Sequence, residues 1–309
     1  MHLASTILPI FGIVLTGWIA ACTGYVPRAL GPSLTRFAYY VAMPALVFLT
    51  IGDETLRSLL DWRFLAAFGG GSSICFVIGM AIARLRRGTT LGTSAMLAAA
   101  ASMTNTAFVA LPILKALYGK PGVLAAAVAT VFIGAFMFPL LVILLEIDRF
   151  DISRGVRIAP LMRQIATNPV ILATIFGLAW SFSGLGMPGP LDTFLTVLGD
   201  ALTPCALFAI GLELTLNEVR ERLPFYALLT AAKLLIVPLV VYGLCVVSGL
   251  DRTASVAAVV CAAVPTAKSA YILAVEYDVE KTMVGAVIST STLLSIVTLL
   301  AWLYLIHGA

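Results

Sequence analysis

Ser102-Met103-Thr104-Asn105-Thr106-Ala107-Phe108-Val109-Ala110-Leu111-Pro112 and Val264-Pro265-Thr266-Ala267-Lys268-Ser269-Ala270-Tyr271 decide the fold. Each stretch lies near the middle of a long apolar run, 91–118 in one case and 253–276 in the other. A proline inside a helix removes one backbone hydrogen bond, and its ring clashes with the preceding turn. The polar groups freed in this way are tolerated at membrane depth only where protein or a water-filled cavity receives them. The two stretches therefore predict two interrupted helices, each with polar residues beside the interruption.

Working outward, a shift of 160 residues lays the chain on itself without a gap. Pro9 falls on Pro169, Gly17 on Gly177, Gly24 on Gly184 and Pro44 on Pro204. Asn105-Thr106-Ala107 falls on Pro265-Thr266-Ala267, followed by Ala110 on Ala270, Ala126 on Ala286 and Thr130 on Thr290. Alanine matches are cheap in so apolar a chain, so the prolines and glycines at one constant offset carry the reading of an internal repeat. Each half holds five long apolar runs. Five is odd, so the second copy enters the membrane from the opposite side, the construction used by many secondary transporters. The expected repeats are 1–149 and 166–309, joined by a cytoplasmic linker over 150–165.

Composition agrees. The chain of 309 residues is 61% hydrophobic and 11% charged, against about 25% charged in a soluble domain. The expected fold class is an all-α polytopic membrane protein with ten transmembrane helices in a five-plus-five inverted repeat. Runs long enough to span fall near 5–23, 33–51, 64–83, 91–118, 121–145, 166–184, 191–212, 224–248, 253–276 and 282–306. Ile19-Ala20-Ala21-Cys22 imitates a lipoprotein cleavage site, but no Lys or Arg precedes the apolar stretch, so residues 5–23 are read as the first span. The linker alternates charged and apolar residues (Glu146, Asp148, Arg149, Asp151, Arg154, Arg157, Arg163), the pattern of a short helix on the membrane surface or of a solvated connection.

Lys and Arg set the orientation. The odd-numbered loops carry Arg28, Arg36, Arg84, Arg86, Arg87, Arg149, Arg154, Arg157, Arg163, Arg220, Arg222 and Lys281. The other side has only Arg57, Arg63, Lys120 and Arg252. The excess places the odd loops in the cytoplasm and both termini outside, in the plasma (bacterial inner) membrane. The net charge of +4 sits on that one face and does not suggest a nucleic-acid partner. The five cysteines lie in or beside apolar runs without paired spacing and read as packing residues. Both histidines are terminal, so no zinc or catalytic motif is built on them, and no cofactor is expected.

Chemistry is expected where the fourth and ninth spans meet. Equivalent positions in inverted halves should cross near a pseudo-two-fold axis and present half-helix N-termini, which favour anions. Lys268 is the sharpest residue there, because a mid-membrane lysine costs about 2.5–3.5 kcal/mol on insertion scales. It could hold a substrate carboxylate, stand in the place of a coupling cation, take part in proton coupling, or simply hydrogen-bond the carbonyls of a broken helix. Asn105, Thr106, Thr266 and Ser269 would offer hydrogen bonds, and the Tyr271 phenol could reach the crossing. Lys233, well inside the eighth span, needs a protein partner or water. Lys115 and Glu276 lie near helix ends and read as solvated, and Glu213 as a boundary residue. Gly69-Gly70-Gly71-Ser72-Ser73 reads as close helix packing or a mobile-helix contact rather than a phosphate loop, since no lysine follows with the required spacing.

Asn105-Thr106-Ala107-Phe108-Val109-Ala110-Leu111-Pro112-Ile113-Leu114-Lys115-Ala116-Leu117-Tyr118-Gly119 resembles the fourth-helix signature of the auxin efflux carrier family, which includes plant PIN-type carriers and bacterial relatives. Asn168-Pro169, Leu202-Thr203-Pro204-Cys205-Ala206-Leu207-Phe208-Ala209-Ile210-Gly211, Lys233-Leu234-Leu235-Ile236-Val237-Pro238 and Pro265-Thr266-Ala267 with Ala270-Tyr271 extend the resemblance over the whole chain. The central loop is short, as in the bacterial members. The resemblance implies a scaffold of spans 1, 2, 6 and 7 and a transport domain of spans 3–5 and 8–10. It also implies organic-anion transport by an elevator-like movement, and often a homodimer. By position, Asn105, Pro112 and Pro265 would shape the crossover. Lys268 departs from the small or amide residue expected there in many relatives.

The expected function is a secondary carrier of a small carboxylate, without ATP and without enzymatic chemistry. A monoanion leaving a cell that is negative inside gains about 2.3 kcal/mol per 100 mV. Export would run uncoupled, whereas accumulation would need an ion, with a proton the first candidate. Two rivals are a sodium-coupled symporter similar to the bile-acid transporters, whose cation Lys268 would repel, and a membrane sensor that binds a ligand without moving it.

Overall fold

The computed structural model describes residues 2–52, 62–86, 88–149, 163, 166–214 and 223–308. The surface helix considered for the linker lies, past Arg149, almost wholly outside the described residues. The helices are α1 (His2–Cys22), α2 (Leu30–Gly52), α3 (Trp62–Arg84), α4 (Leu91–Ser102), α5 (Thr106–Tyr118) and α6 (Lys120–Asp148). They continue as α7 (Pro169–Ser183), α8 (Gly189–Glu213), α9 (Pro224–Val247), α10 (Arg252–Ala263), α11 (Lys268–Glu276) and α12 (Lys281–Gly308). Among the described residues the only extended pairing is a single antiparallel bridge, Thr104 with Thr266.

Six of these helices, α2, α3, α6, α8, α9 and α12, are long and apolar enough to cross a membrane, and shorter apolar helices accompany them. The fourth and ninth apolar runs are each split in two. Both α4 and α10 have 12 residues, about 18 Å at the α-helical rise and short of the ~30 Å hydrocarbon core. Neither would reach across a bilayer alone.

Prolines explain a local feature that recurs. The turns Ala38–Ala42, Thr106–Ala110, Ile133–Met137 and Ala232–Ile236 are wound as π-helix. Each ends two residues before a proline: Pro44, Pro112, Pro139 and Pro238. In a regular helix the carbonyl four residues before a proline meets its ring and receives no N–H. Opening the turn by one residue relieves the clash without breaking the helix. Pro9, inside α1, and Pro204, inside α8, have no such turn before them.

The helices gather into two compact units. Unit 1 comprises Met1–Trp62, Ala107–Thr130 and Ala166–Leu214. It therefore holds α1, α2, α7, α8, all of α5 but Thr106, and the first part of α6. Its two main helix pairs, α1 with α8 and α2 with α7, touch backbone to backbone. A Cβ on Gly17 would lie 2.3 Å from the Phe208 carbonyl oxygen. A Cβ on Gly177 would lie 3.2 Å from the Phe48 carbonyl oxygen and 3.0 Å from Ile51 Cβ. The first approach requires glycine and the second is tight for any larger residue, the usual device for close packing without a hydrophobic drive between helices. Asn168 opens α7 as its N-cap, accepting from the Val170 and Ile171 N–H groups, while its amide donates to the Tyr39 hydroxyl. Glu213, at the end of α8, accepts from the Thr35 hydroxyl at 3.1 Å.

Unit 2 comprises Arg63–Thr106, Val131–Ile165 and Thr215–Ala309. Here α3 packs through its glycine run: a Cβ on Gly69 would meet the Phe132 ring at 2.9 Å, and one on Gly71 would meet Val241 Cγ2 at 2.6 Å. The run serves helix packing. At the end of α6, the Tyr277 hydroxyl donates to Glu146 at 2.6 Å and the Arg149 guanidinium lies over the Tyr277 ring. Burial, then the bond to Glu146 and its charge, push the phenol well above its ordinary pKa.

Candidate functional site

Both interruptions lie in unit 2, and they are hydrogen-bonded to each other. The α4 helix is N-capped by the Thr90 hydroxyl and α10 by the Asp251 carboxylate. After Ser102 the chain turns extended at Met103 (ψ 132°), and after Ala263 it does so at Val264 (ψ 160°). Thr104 and Thr266 then face each other antiparallel. The Asn105 N–H donates to the Pro265 carbonyl at 2.9 Å, and the Ala267 N–H donates to the Met103 carbonyl at 3.1 Å. These two bonds exchange under a local two-fold rotation that brings Thr104 onto Thr266.

This pairing reassigns the main-chain groups that an unbroken helix would use. Pro265 has no N–H to give the Cys261 carbonyl. The Thr266 N–H goes instead to Ser291 Oγ (3.2 Å), and the Ala267 N–H to Met103. The end of α10 therefore has carbonyls lacking helical donors, at the negative pole of the helix. Lys233 answers them. Its ammonium, on a side chain with 0% exposure, donates to the Ala262 and Val264 carbonyls, both at 2.6 Å. Lys233 sits in the π-turn before Pro238, so the widening that the proline demands also sets where the ammonium lies.

The hydroxyls of the paired threonines differ. Thr266 donates to the Ala100 carbonyl of α4 at 2.7 Å. Among the described residues, Thr104 Oγ1 is buried without a hydrogen-bond partner.

Of the residues expected at the crossing, Asn105, Thr106, Pro265 and Thr266 are buried at it. Lys268 and Ser269 are half-buried and open α11. Tyr271 follows on α11, 40% exposed. Pro112 is buried within α5, in unit 1. Lys268 is the first residue of α11, whose N-cap, Ala267, offers no side-chain oxygen to the first turn. A helix N-terminus carries about half a positive charge, and Lys268 is the residue that opens this one. Lys233 binds broken-helix carbonyls, one of the roles that the sequence also allows Lys268. The signal for it in the sequence is a lysine deep in an apolar run that also holds Pro238. Lys115 forms an ion pair with Asp200 at 2.6 Å in unit 1. Its nearness to a helix end gives no sign of that partner.

The helices and the paired interruptions define the class: a polytopic helical membrane protein organised around two broken helices. Residues 2–303 match the family described as membrane transport protein, and the chain belongs to that family, the one that contains the auxin efflux carriers. It is 27% identical to a "Putative malonate transporter" of Rhizobium meliloti, over 99% of this chain and 97% of the relative. It is 24% identical to auxin efflux carrier component 5 of Arabidopsis thaliana, over 65% of this chain and 67% of that one. It is also 27% identical to the mouse lysosomal cholesterol signaling protein, covering 98% of this chain but 37% of that longer protein.

Proposed function

We propose that this transporter is a secondary carrier of small carboxylates, held at the crossing of the two interrupted helices and moved by elevator-type alternating access. The observation that carries the reading is the position of Lys268, the first residue of α11, directly after the paired break. Charge-assisted bonds from an ammonium and from N-terminal N–H groups suit a carboxylate. Asn105, Thr106, Thr266, Ser269 and Tyr271 supply the polar surroundings, with Pro265 and Pro112 shaping the two helices. The name of the Rhizobium meliloti relative makes malonate the first substrate to try.

The ten-span inverted repeat belongs to this proposal, and three pairs of observations support it. Gly17 meets the Phe208 carbonyl and Gly177 the Phe48 carbonyl, with both residues of each contact displaced by 160. The N-caps Thr90 and Asp251 open the two 12-residue half-helices. The breaks pair with local two-fold geometry. Spans 1, 2, 6 and 7 would form the scaffold, with both termini outside the plasma membrane as the Lys and Arg asymmetry indicates.

The test is uptake and efflux of labelled malonate and longer dicarboxylates in proteoliposomes, with sodium replaced by choline and with an imposed pH gradient. The expected outcome is anion flux that ignores sodium and falls in Lys268→Ala. Equal flux in wild type and Lys268→Ala removes the site as assigned, and ligand binding without flux in sealed vesicles removes the carrier.

A further inference from the structure

We propose that the Lys233 ammonium is a built-in monovalent cation: tethered to α9, it fills a site at the end of α10 that would otherwise take a free alkali-metal ion. The pairing of the two breaks then needs no ion from solution. Main-chain carbonyls at the C-terminal end of an unwound half-helix are the ligands by which many transporters hold a coupling Na⁺. Here the same kind of oxygen, from Ala262 and Val264, lies 2.6 Å from Nζ in both cases. The side chain is wholly buried, and among the described residues no carboxylate pairs with it. Its charge is therefore matched to the carbonyl pole of α10 rather than to an acid.

The first break differs. Its own residues, Met103-Thr104-Asn105, bear no charge. Among the described residues, Thr104 Oγ1, across the bridge from Thr266, is buried without a hydrogen-bond partner. Lys233 and Lys268 thus divide the work. The first neutralises carbonyls behind the crossing, and the second offers charge to a ligand in front of α11.

The experiment is thermal unfolding of the purified full-length protein in detergent at constant ionic strength, with choline chloride exchanged for lithium, sodium, potassium or ammonium chloride. Wild type should be indifferent to the exchange. Lys233→Ala, which removes the ammonium and leaves its space, should unfold several degrees lower in choline. It should recover saturably in at least one of the small cations. Lys233→Met, which fills the space with an apolar chain, should be destabilised without recovery. An alanine variant as indifferent as the methionine variant overturns the proposal. So does a wild type that sodium stabilises as much as it stabilises the alanine variant. An alanine variant that cannot be recovered folded in any of these salts overturns it too, since the proposal requires a free cation to replace the tethered one. Because unfolding rather than flux is read, the result is independent of whether the protein carries carboxylates.

Discussion

The two interruptions share a geometry and differ in chemistry. Each follows a capped half-helix of 12 residues, and each lends one N–H and one carbonyl to the other. The first, Met103-Thr104-Asn105, carries no formal charge, and its threonine hydroxyl has no partner among the described residues. The second has Lys233 behind it, Lys268 after it, and a threonine hydroxyl fixed to the Ala100 carbonyl. Both lysines near the paired breaks, Lys233 and Lys268, come from the second half of the chain. On the proposed reading, a ligand at the crossing would meet its charge from that half only.

That contrast can be broken in order of expected effect. Lys268→Ala should weaken the apparent affinity for a dicarboxylate about 10- to 100-fold, the equivalent of a lost hydrogen bond to a charged group of about 1.5–3 kcal/mol. The half-saturation concentration of uptake reads this, and an unchanged value would make the two breaks electrostatically equivalent to the ligand. Thr266→Val should lower unfolding stability by about 1–3 kcal/mol, because it leaves the buried Ala100 carbonyl without its donor. A reversible denaturation midpoint in mild detergent reads that loss. Lys115→Ala removes an ion pair within unit 1, whose side chains are 29% and 63% exposed. Its effect on the same midpoint should correspond to no more than about 1 kcal/mol. Thr104→Val should be the smallest of all, neutral or slightly stabilising within about 0.5 kcal/mol, since the hydroxyl it deletes has no partner to lose. A Thr104→Val variant as damaged as Thr266→Val would erase the distinction between the two halves.

The sequence shows these differences unevenly. Apolar runs mark the helices to within a few residues: the run 64–83 corresponds to the helix Trp62–Arg84, and 282–306 to Lys281–Gly308. The ninth span announces its break through Pro265, whose missing N–H acts locally. The fourth span has no proline at its break. The chain parts at Met103–Asn105 because the other interruption accepts and donates its main-chain bonds, a tertiary cause that residue types do not display. Lys233 is visible as a buried charge in need of a partner. Its partners are carbonyl oxygens, which every residue has, so no spacing of acids could point to them. The π-turns are equally hidden, although each lies at a fixed distance before a proline. That proline has two ways out, a kink or a wider turn, and the neighbouring helices choose between them. Lys115 looks like a solvated end because Asp200 is remote in the chain and near only after folding.

Gly17 against the Phe208 carbonyl, and Gly177 against the Phe48 carbonyl, carry a mechanical implication. Helices seated main chain on main chain cannot slip past one another by a residue, because the next Cβ would strike an oxygen. The α1–α8 pair is therefore clamped like the planks of a hull, and α2–α7 fits almost as closely. The elevator movement proposed above would have to run along some other seam.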